Sequence, residues 1–152
     1  KAYAKQNESF TGAYSRHDQP GDSESYGYLY NLHAVHSSYG LCPVGWKVPS
    51  AQDWSELIWD HGGERFAGGK LKSESANGNN SNGFSALLGG VRSASGELED
   101  AGLTGFWWAS DGMAKKKGQA ISMSLEDLKS TSESVDANAG LSVRCIRINE
   151  EQ

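Results

Sequence analysis

LCPVGWKVPSAQDWSELIW, residues 41–59, joins a cysteine, a turn, a short extended run and the best-specified helix of the chain. Pro49 sets an extended approach. Ser50 is placed to accept from free backbone N–H groups, and Asp53 stands three residues on, a capping box with Asp in place of Glu. The spacing predicts a helix that starts at Ala51. Trp54, Leu57 and Ile58 fall at i, i+3 and i+4 and form one apolar face, while Gln52, Asp53, Ser55, Glu56 and Asp60 are expected to point to water. Gly62 and Gly63 end the helix as left-handed caps do. Ahead of it, Trp46 and Val48 alternate with Gly45 and Lys47, which reads as a short strand entering the core. The stretch organises a fold and carries no catalytic motif.

Working outward, Cys42 precedes this helix and Cys145 lies in the last apolar run; they are the two cysteines of the chain. Their positions point to a bridge that ties the two ends of the core together, the other arrangement being two buried free thiols. A bridge would close a loop of about 100 residues, which the chain-entropy account equates with about 4–5 kcal/mol. Nothing at zinc spacing accompanies them.

The 152 residues, 37% of them hydrophobic, are the size of one domain. Nineteen glycines, three prolines and 10% aromatics describe short strands joined by irregular loops. A net charge of −5, with no Lys/Arg run interleaved with aromatics, leaves no electrostatic footprint for nucleic acid. No apolar run approaches the roughly 20 residues of a membrane span, and no signal-peptide pattern opens the chain, so a soluble domain is expected, any export signal having been left out or removed.

Residues 1–25 are polar without sustained period and are expected to form an irregular arm of the same domain that occupies 26–152. YGYLYNLHAVHSSYG, residues 26–40, begins as an aromatic strand and turns into a short helix near Asn31, with Tyr28, Tyr30, Leu32 and Val35 as candidates for burial. His33 and His36 stand one helical turn apart, a partial metal pair that lacks a local third ligand. ERFAGGKLKSES, residues 64–75, reads as a second short helix or a turn with Phe66, Ala67 and Leu71 apolar, weakened by Gly68 and Gly69 at roughly 1 kcal/mol each. ANGNNSNG, residues 76–83, is a loop, facing either solvent or a ligand. GFSALLGGVRS, residues 83–93, reads as a strand with Phe84, Ala86 and Leu88 on one face, where Gly89 and Gly90 mark a bulge or the close approach of another backbone.

Glu97, Glu99 and Asp100 cluster in a hairpin-like loop; they are the one candidate calcium site, although EF-hand spacing is absent and a solvated acidic loop is the alternative. No other cofactor is expected. TGFWWASD, residues 104–111, is a strand with Phe106 and Trp108 on one face and Trp107 and Ala109 on the other. KGQAISMSLE, residues 117–126, sets Ile121, Met123 and Leu125 inward and Ala120, Ser122 and Ser124 on a hydroxyl-lined outer face. GLSVRCIRIN, residues 140–149, is the last strand, with its inward set open across one register change. No nucleophile elbow, P-loop, dinucleotide fingerprint or H-E-x-x-H helix occurs.

In order and spacing, YGYLYN, CPVGWKVPSAQDW, AGGKLKS, NGFSALLGGVRS, GFWWAS and GLSVRCIRI resemble the Fibrobacter succinogenes major paralogous domain, from about Tyr26 to Ile148. The resemblance implies an α+β, C-type lectin-like fold: two short helices, a mixed, mostly antiparallel sheet and long irregular loops. It also implies an exported or surface-attached bacterial module. The related formylglycine-generating enzymes share the turn and helix of the type G-W-x-x-P-x-x-x-x-W, but their catalytic cysteine pair has no counterpart here. Calcium-dependent lectins use E-P-N or Q-P-D followed by W-N-D; the nearest strings are QPGD at 19–22 and WAS at 108–110.

Proteins of this fold that are diversified by reverse-transcriptase cassettes carry ligand residues ahead of a terminal V-R-C strand, which this chain also has. By position, that resemblance implies Trp107, Ser110, Asp111, Met113, Ser122, Ser124, Asp136 and Asn138 as a ligand face, the alternative being a core Trp107 beside an ordinary polar surface. The resulting expectation is a non-enzymatic, adhesin-like module that binds a glycan or a protein between Gly105 and Gly140. An assembly domain of a surface appendage and a thiol-dependent enzyme are the other two readings.

Overall fold

The computed structural model describes residues 12–17 and 26–149. Local chemistry sets the first turn of the fold. Asn31 is buried and its side-chain oxygen accepts from the Ala34 N–H, starting helix α1 (Leu32–Val35), and from the Ala13 N–H of the preceding segment, both at 2.9 Å. Strand β1 (Tyr14–Ser15) thereby lies antiparallel to β2 (Leu29–Tyr30). The expected irregular arm is therefore partly integral: Ala13 and His17 are buried, and the His17 ring bonds to the carbonyls of Gly27 and Gly89. A two-residue strand has no period to detect, which is why composition reads it as loop. The rest of that arm, residues 1–11 and 18–25, lies outside the described residues, as does the QPGD string.

Strand β3 (Trp46–Lys47) leads into α2 (Ala51–Asp60), followed by α3 (Ala67–Leu71) and a 3₁₀ turn at Glu74–Ala76. The remaining strands are β4 (Val91–Arg92), β5 (Leu98–Glu99), β6 (Thr104–Trp108), β7 (Lys117–Ser124), β8 (Thr131–Asp136) and β9 (Ile146–Arg147). Four small sheets form, β1–β2, β3–β9, β4–β5 and β6–β7–β8, and every named pairing is antiparallel. The chain is thus a small α+β domain, with three α-helices among the described residues where the resemblance implied two, and several small sheets in place of one mixed sheet. Parallel geometry enters only as isolated bridges such as Lys72 to Ala86 and Gly90 to Gly105. The expected strand at 83–93 is reduced to those two bridges and β4. At Gly90, as the glycine signal suggested, a β-carbon would sit 2.3 Å from the Glu99 carbonyl oxygen.

The two cysteines are bridged, with Cα atoms 5.7 Å apart across 103 positions of sequence. The bridge reinforces β3–β9, which joins Trp46 to Arg147 and Lys47 to Ile146. This sheet does not enter the core as the alternation at 45–48 suggested: only two residues pair, Trp46 is 45% exposed and Ile146 opposite Lys47 is only partly buried.

The central sheet divides two cores. Trp107 and Trp108 are consecutive on β6 and so project to opposite faces. Trp107 packs with Trp54, Ile58, Leu71 and Met123 beneath α2 and α3, whereas Trp108 packs with Leu32, Ala120 and Leu141 beneath α1. Both tryptophans are buried, and Ala120 to Met123 are buried on both faces of β7. The hydroxyl-lined outer face expected for β7 is covered instead, and Ser122 donates to Glu133 of β8. Lys72 is fully buried and is matched, donating to the Ser124 and Asp127 carbonyls at 2.5 and 2.7 Å, whereas the buried Ser130 Oγ has no hydrogen-bond partner among the described residues.

Candidate functional site

Helix α2 is fastened at its N-terminus from three directions. Ser50 Oγ accepts from the Asp53 N–H at 3.1 Å and Asp53 Oδ2 accepts from the Ser50 N–H at 2.8 Å, completing the capping box. Asp111 Oδ1, from the loop after β6, accepts from the Ala51 N–H at 2.7 Å. Lys47 pairs with Asp53 at 3.0 Å. Burial pushes the Asp53 carboxyl up, but the Ser50 N–H, the Lys47 ammonium and the Ser50 hydroxyl outweigh it and hold the group below the usual carboxylate range. At the other end, Gly62 and Gly63 both take positive φ and the Gly63 N–H reaches back to the Ile58 carbonyl at 2.9 Å.

This rigid helix forms one wall of a cleft of about 330 Å³. Trp54, Leu57 and Ile146 supply its apolar lining, and Phe84 meets Trp54 edge-on with ring centroids 5.9 Å apart. The Arg144 guanidinium lies 4.5 Å above the centre of the Phe84 ring. Opposite it, Asp53, Glu56 and Asp60 run along the helix wall. The acids that periodicity assigns to water therefore border a concavity, because the facing wall comes from Phe84 and from residues 144–146, distant in sequence. Among the residues that line the cleft there is no cysteine, serine or histidine. The arrangement suits a ligand with an apolar body and a cationic group, held by contact and ion pairing.

Coverage of the chain by known families decides its relationship. The model of the Fibrobacter succinogenes major domain matches residues 2–147. The chain belongs to that family. No curated protein and no solved structure matches it.

Within this Fibrobacter succinogenes major domain, the residues expected to form a ligand face are dispersed. Trp107, the aromatic of that face, is 5% exposed and belongs to the core, so it offers no stacking surface. The glycine two residues before it makes room for this: at Gly105 a β-carbon would stand 2.3 Å from the Trp107 ring, which folds back over the glycine. Ser110 donates its N–H to the Pro49 carbonyl and accepts at its own carbonyl from His36, and Asp111 caps α2, so both hold the helix in place. Ser124 Oγ accepts from the Glu126 N–H, Asp136 Oδ1 accepts from the Asn138 N–H, and Asn138 Oδ1 bonds to His33. Met113 is half-exposed in the β6–β7 hairpin.

Asp136 pairs with Lys117 at one end of β7 and Ser124 ends the other. Seven steps at about 3.3 Å separate them by about 23 Å, too far for one small ligand. Among the described residues no three His, Cys, Asp or Glu side chains gather to hold a metal ion, the acids at 97–100 included. His33 and His36 are engaged in the bonds already given. Sequence reading missed Arg144, Phe84 and Leu57 as a group; the stripe Asp53, Glu56 and Asp60 at i, i+3 and i+7 was the one local signal for that wall.

Proposed function

We propose that this domain is a non-catalytic recognition module, exported to the bacterial cell surface in an adhesin-like role, with a C-type lectin-like architecture. Its ligand is a protein segment that seats an apolar residue in the α2 cleft and sets a neighbouring Lys or Arg against Glu56 and Asp60. The cleft itself carries this reading: an apolar floor, an acidic wall and Arg144 converge, with no cysteine, serine or histidine among the lining residues. Both cysteines are consumed in the bridge, so the thiol that a formylglycine-generating type of reaction needs has no source.

Export is supported by that disulfide, which persists in oxidising compartments; among the described residues no helix is long and apolar enough to cross a membrane. The lectin-like architecture is supported by the β3–β9 pairing, which brings distant parts of the chain together, and by the small sheets with long loops between them. Selection from a displayed peptide library on the purified domain tests the reading. Enrichment of peptides with paired apolar and basic residues is expected, and Glu56→Lys with Asp60→Lys should weaken them at least about tenfold, or about 1.4 kcal/mol. Retained binding in that double variant refutes the placement.

An assembly role has one observation in its favour. Strand β8 forms the edge of the central sheet, and its outer side is exposed and open to a further strand.

A further inference from the structure

We propose a second binding site, between α3 and the Asn/Gly loop at 76–83, that takes a pyranose ring carrying a carboxylate, as in a uronic-acid oligosaccharide. The site is an open pocket of about 410 Å³. Phe66 and Leu128, 50% and 51% exposed, form two apolar walls, and Asn77, Asn79 and Lys70 stand around them. A sugar ring presents an apolar C–H face, equatorial hydroxyls and, in a uronic acid, one negative charge. An aromatic ring, carboxamides and a single ammonium are the matching groups. Lys70 is the one charged side chain that lines the pocket, and among the described residues it has no carboxylate within ion-pair distance.

The loop is built more rigidly than a solvated connection requires. Its backbone is bound to α3 and the turn beyond by Asn79 N–H to Gly69 O at 2.8 Å, Gly78 N–H to Ser73 O at 2.9 Å, and Asn80 N–H and Ser81 N–H to Lys72 O and Lys70 O at 3.1 Å each. Asn77 takes φ 58°, and a β-carbon at Gly78 would lie 2.2 Å from the Lys72 carbonyl oxygen, so only glycine lets the loop approach this closely. On the far side, Gly69 donates to the Leu128 carbonyl at 3.1 Å, which seats Leu128 against the helix. The two amide-bearing residues are thus held in position before any ligand arrives, which lowers the ordering cost of binding. The site is separate from the α2 cleft and does not rest on the reading of that cleft.

Titration of the intact domain with galacturonic acid trisaccharide and with the neutral trisaccharide cellotriose, followed by amide nuclear magnetic resonance, tests the assignment. Shifts confined to Gly69, Lys70 and Asn77 to Asn79 are expected for the acidic sugar, with cellotriose about tenfold weaker. Phe66→Ala, at a half-exposed position, should abolish the shifts while leaving the remaining spectrum in place. Asn79→Asp, which keeps the acceptor used by the Ser81 N–H, should weaken the acidic sugar about tenfold by removing an N–H donor and adding a like charge. Glu56→Lys in the α2 cleft should leave the titration unchanged. Absence of shifts at those amides with both sugars, or undiminished shifts in Phe66→Ala, overturns the proposal.

Discussion

At the scale of single residues, Asp53 concentrates three roles: it returns the capping box, pairs with Lys47 and borders the cleft. Its folded carboxyl titrates below the ordinary value of 3.8. A depressed carboxylate contributes stability that is fully present above the unfolded value and is lost as pH falls through the folded one. The stability gap between the native domain and Asp53→Asn is therefore expected to be widest near neutrality and to close below pH 3.8, in urea unfolding followed across the acid range. A gap that stays constant into strong acid removes the ionised carboxylate from the account. Ser50 and Asp53 were legible as a pair because both sides of a capping box lie within four residues. The third constraint on the same helix end, Asp111 to Ala51, spans 60 positions and has no local signature.

At the scale of elements, long periodic segments were legible and short or polar ones were not. Helix α2 starts and stops where its caps require, and α1 begins at the Asn31 expected to open it. Strand β8 reads TSESVD, an almost wholly polar run, because it pairs on one side and faces water elsewhere; alternation has nothing to report there. The terminal run 140–149 contributes only Ile146–Arg147 as a strand, its earlier residues making single bridges to Tyr30, Arg92 and Trp107. Two-residue pairings such as β3–β9 are weak in isolation, and the disulfide beside them confines the unfolded chain. The double variant Cys42→Ala, Cys145→Ala is expected to lose up to about 4.7 kcal/mol, the chain-entropy value for a loop of about 100 residues, read from chemical unfolding without reductant. A loss below about 1 kcal/mol would mean that the unfolded chain is already confined there by other contacts.

At the scale of the whole molecule, the burial of β6 and β7 on both faces decides how stability is shared across the domain. Because Trp107 and Trp108 anchor different cores through one strand, loss of either is felt by the entire domain. Trp107→Ala is expected to cost about 3–5 kcal/mol and to shift the single unfolding transition as a unit, measured by fluorescence and circular dichroism together. A change under about 1 kcal/mol would return Trp107 to the surface and reopen the face between Gly105 and Gly140. With Trp107 in the core, the exposed aromatic surface is supplied elsewhere, by Phe84 in the cleft, Phe66 beside the Asn/Gly loop and Trp59, which is 80% exposed.

The sequence by itself determined the family, the α+β class and the capped helix at 51–60; it placed strands at 104–111 and 117–126, of which 104–108 and 117–124 form, and left Cys42 and Cys145 as a bridge or two buried thiols, of which the bridge forms. Each of these rests on local periodicity, cap chemistry, ordered motifs or a choice among only two cysteines. Tertiary structure alone decided which side of the central sheet meets water. An alternating strand records two faces, but whether the second is covered depends on Leu32, Ala137 and Leu141 arriving from remote positions. The same holds for the cleft and the pocket: their walls are joined by contacts between residues 51–60, 84 and 144–146, or between 66–70, 77–79 and 128, and no local pattern encodes a concavity.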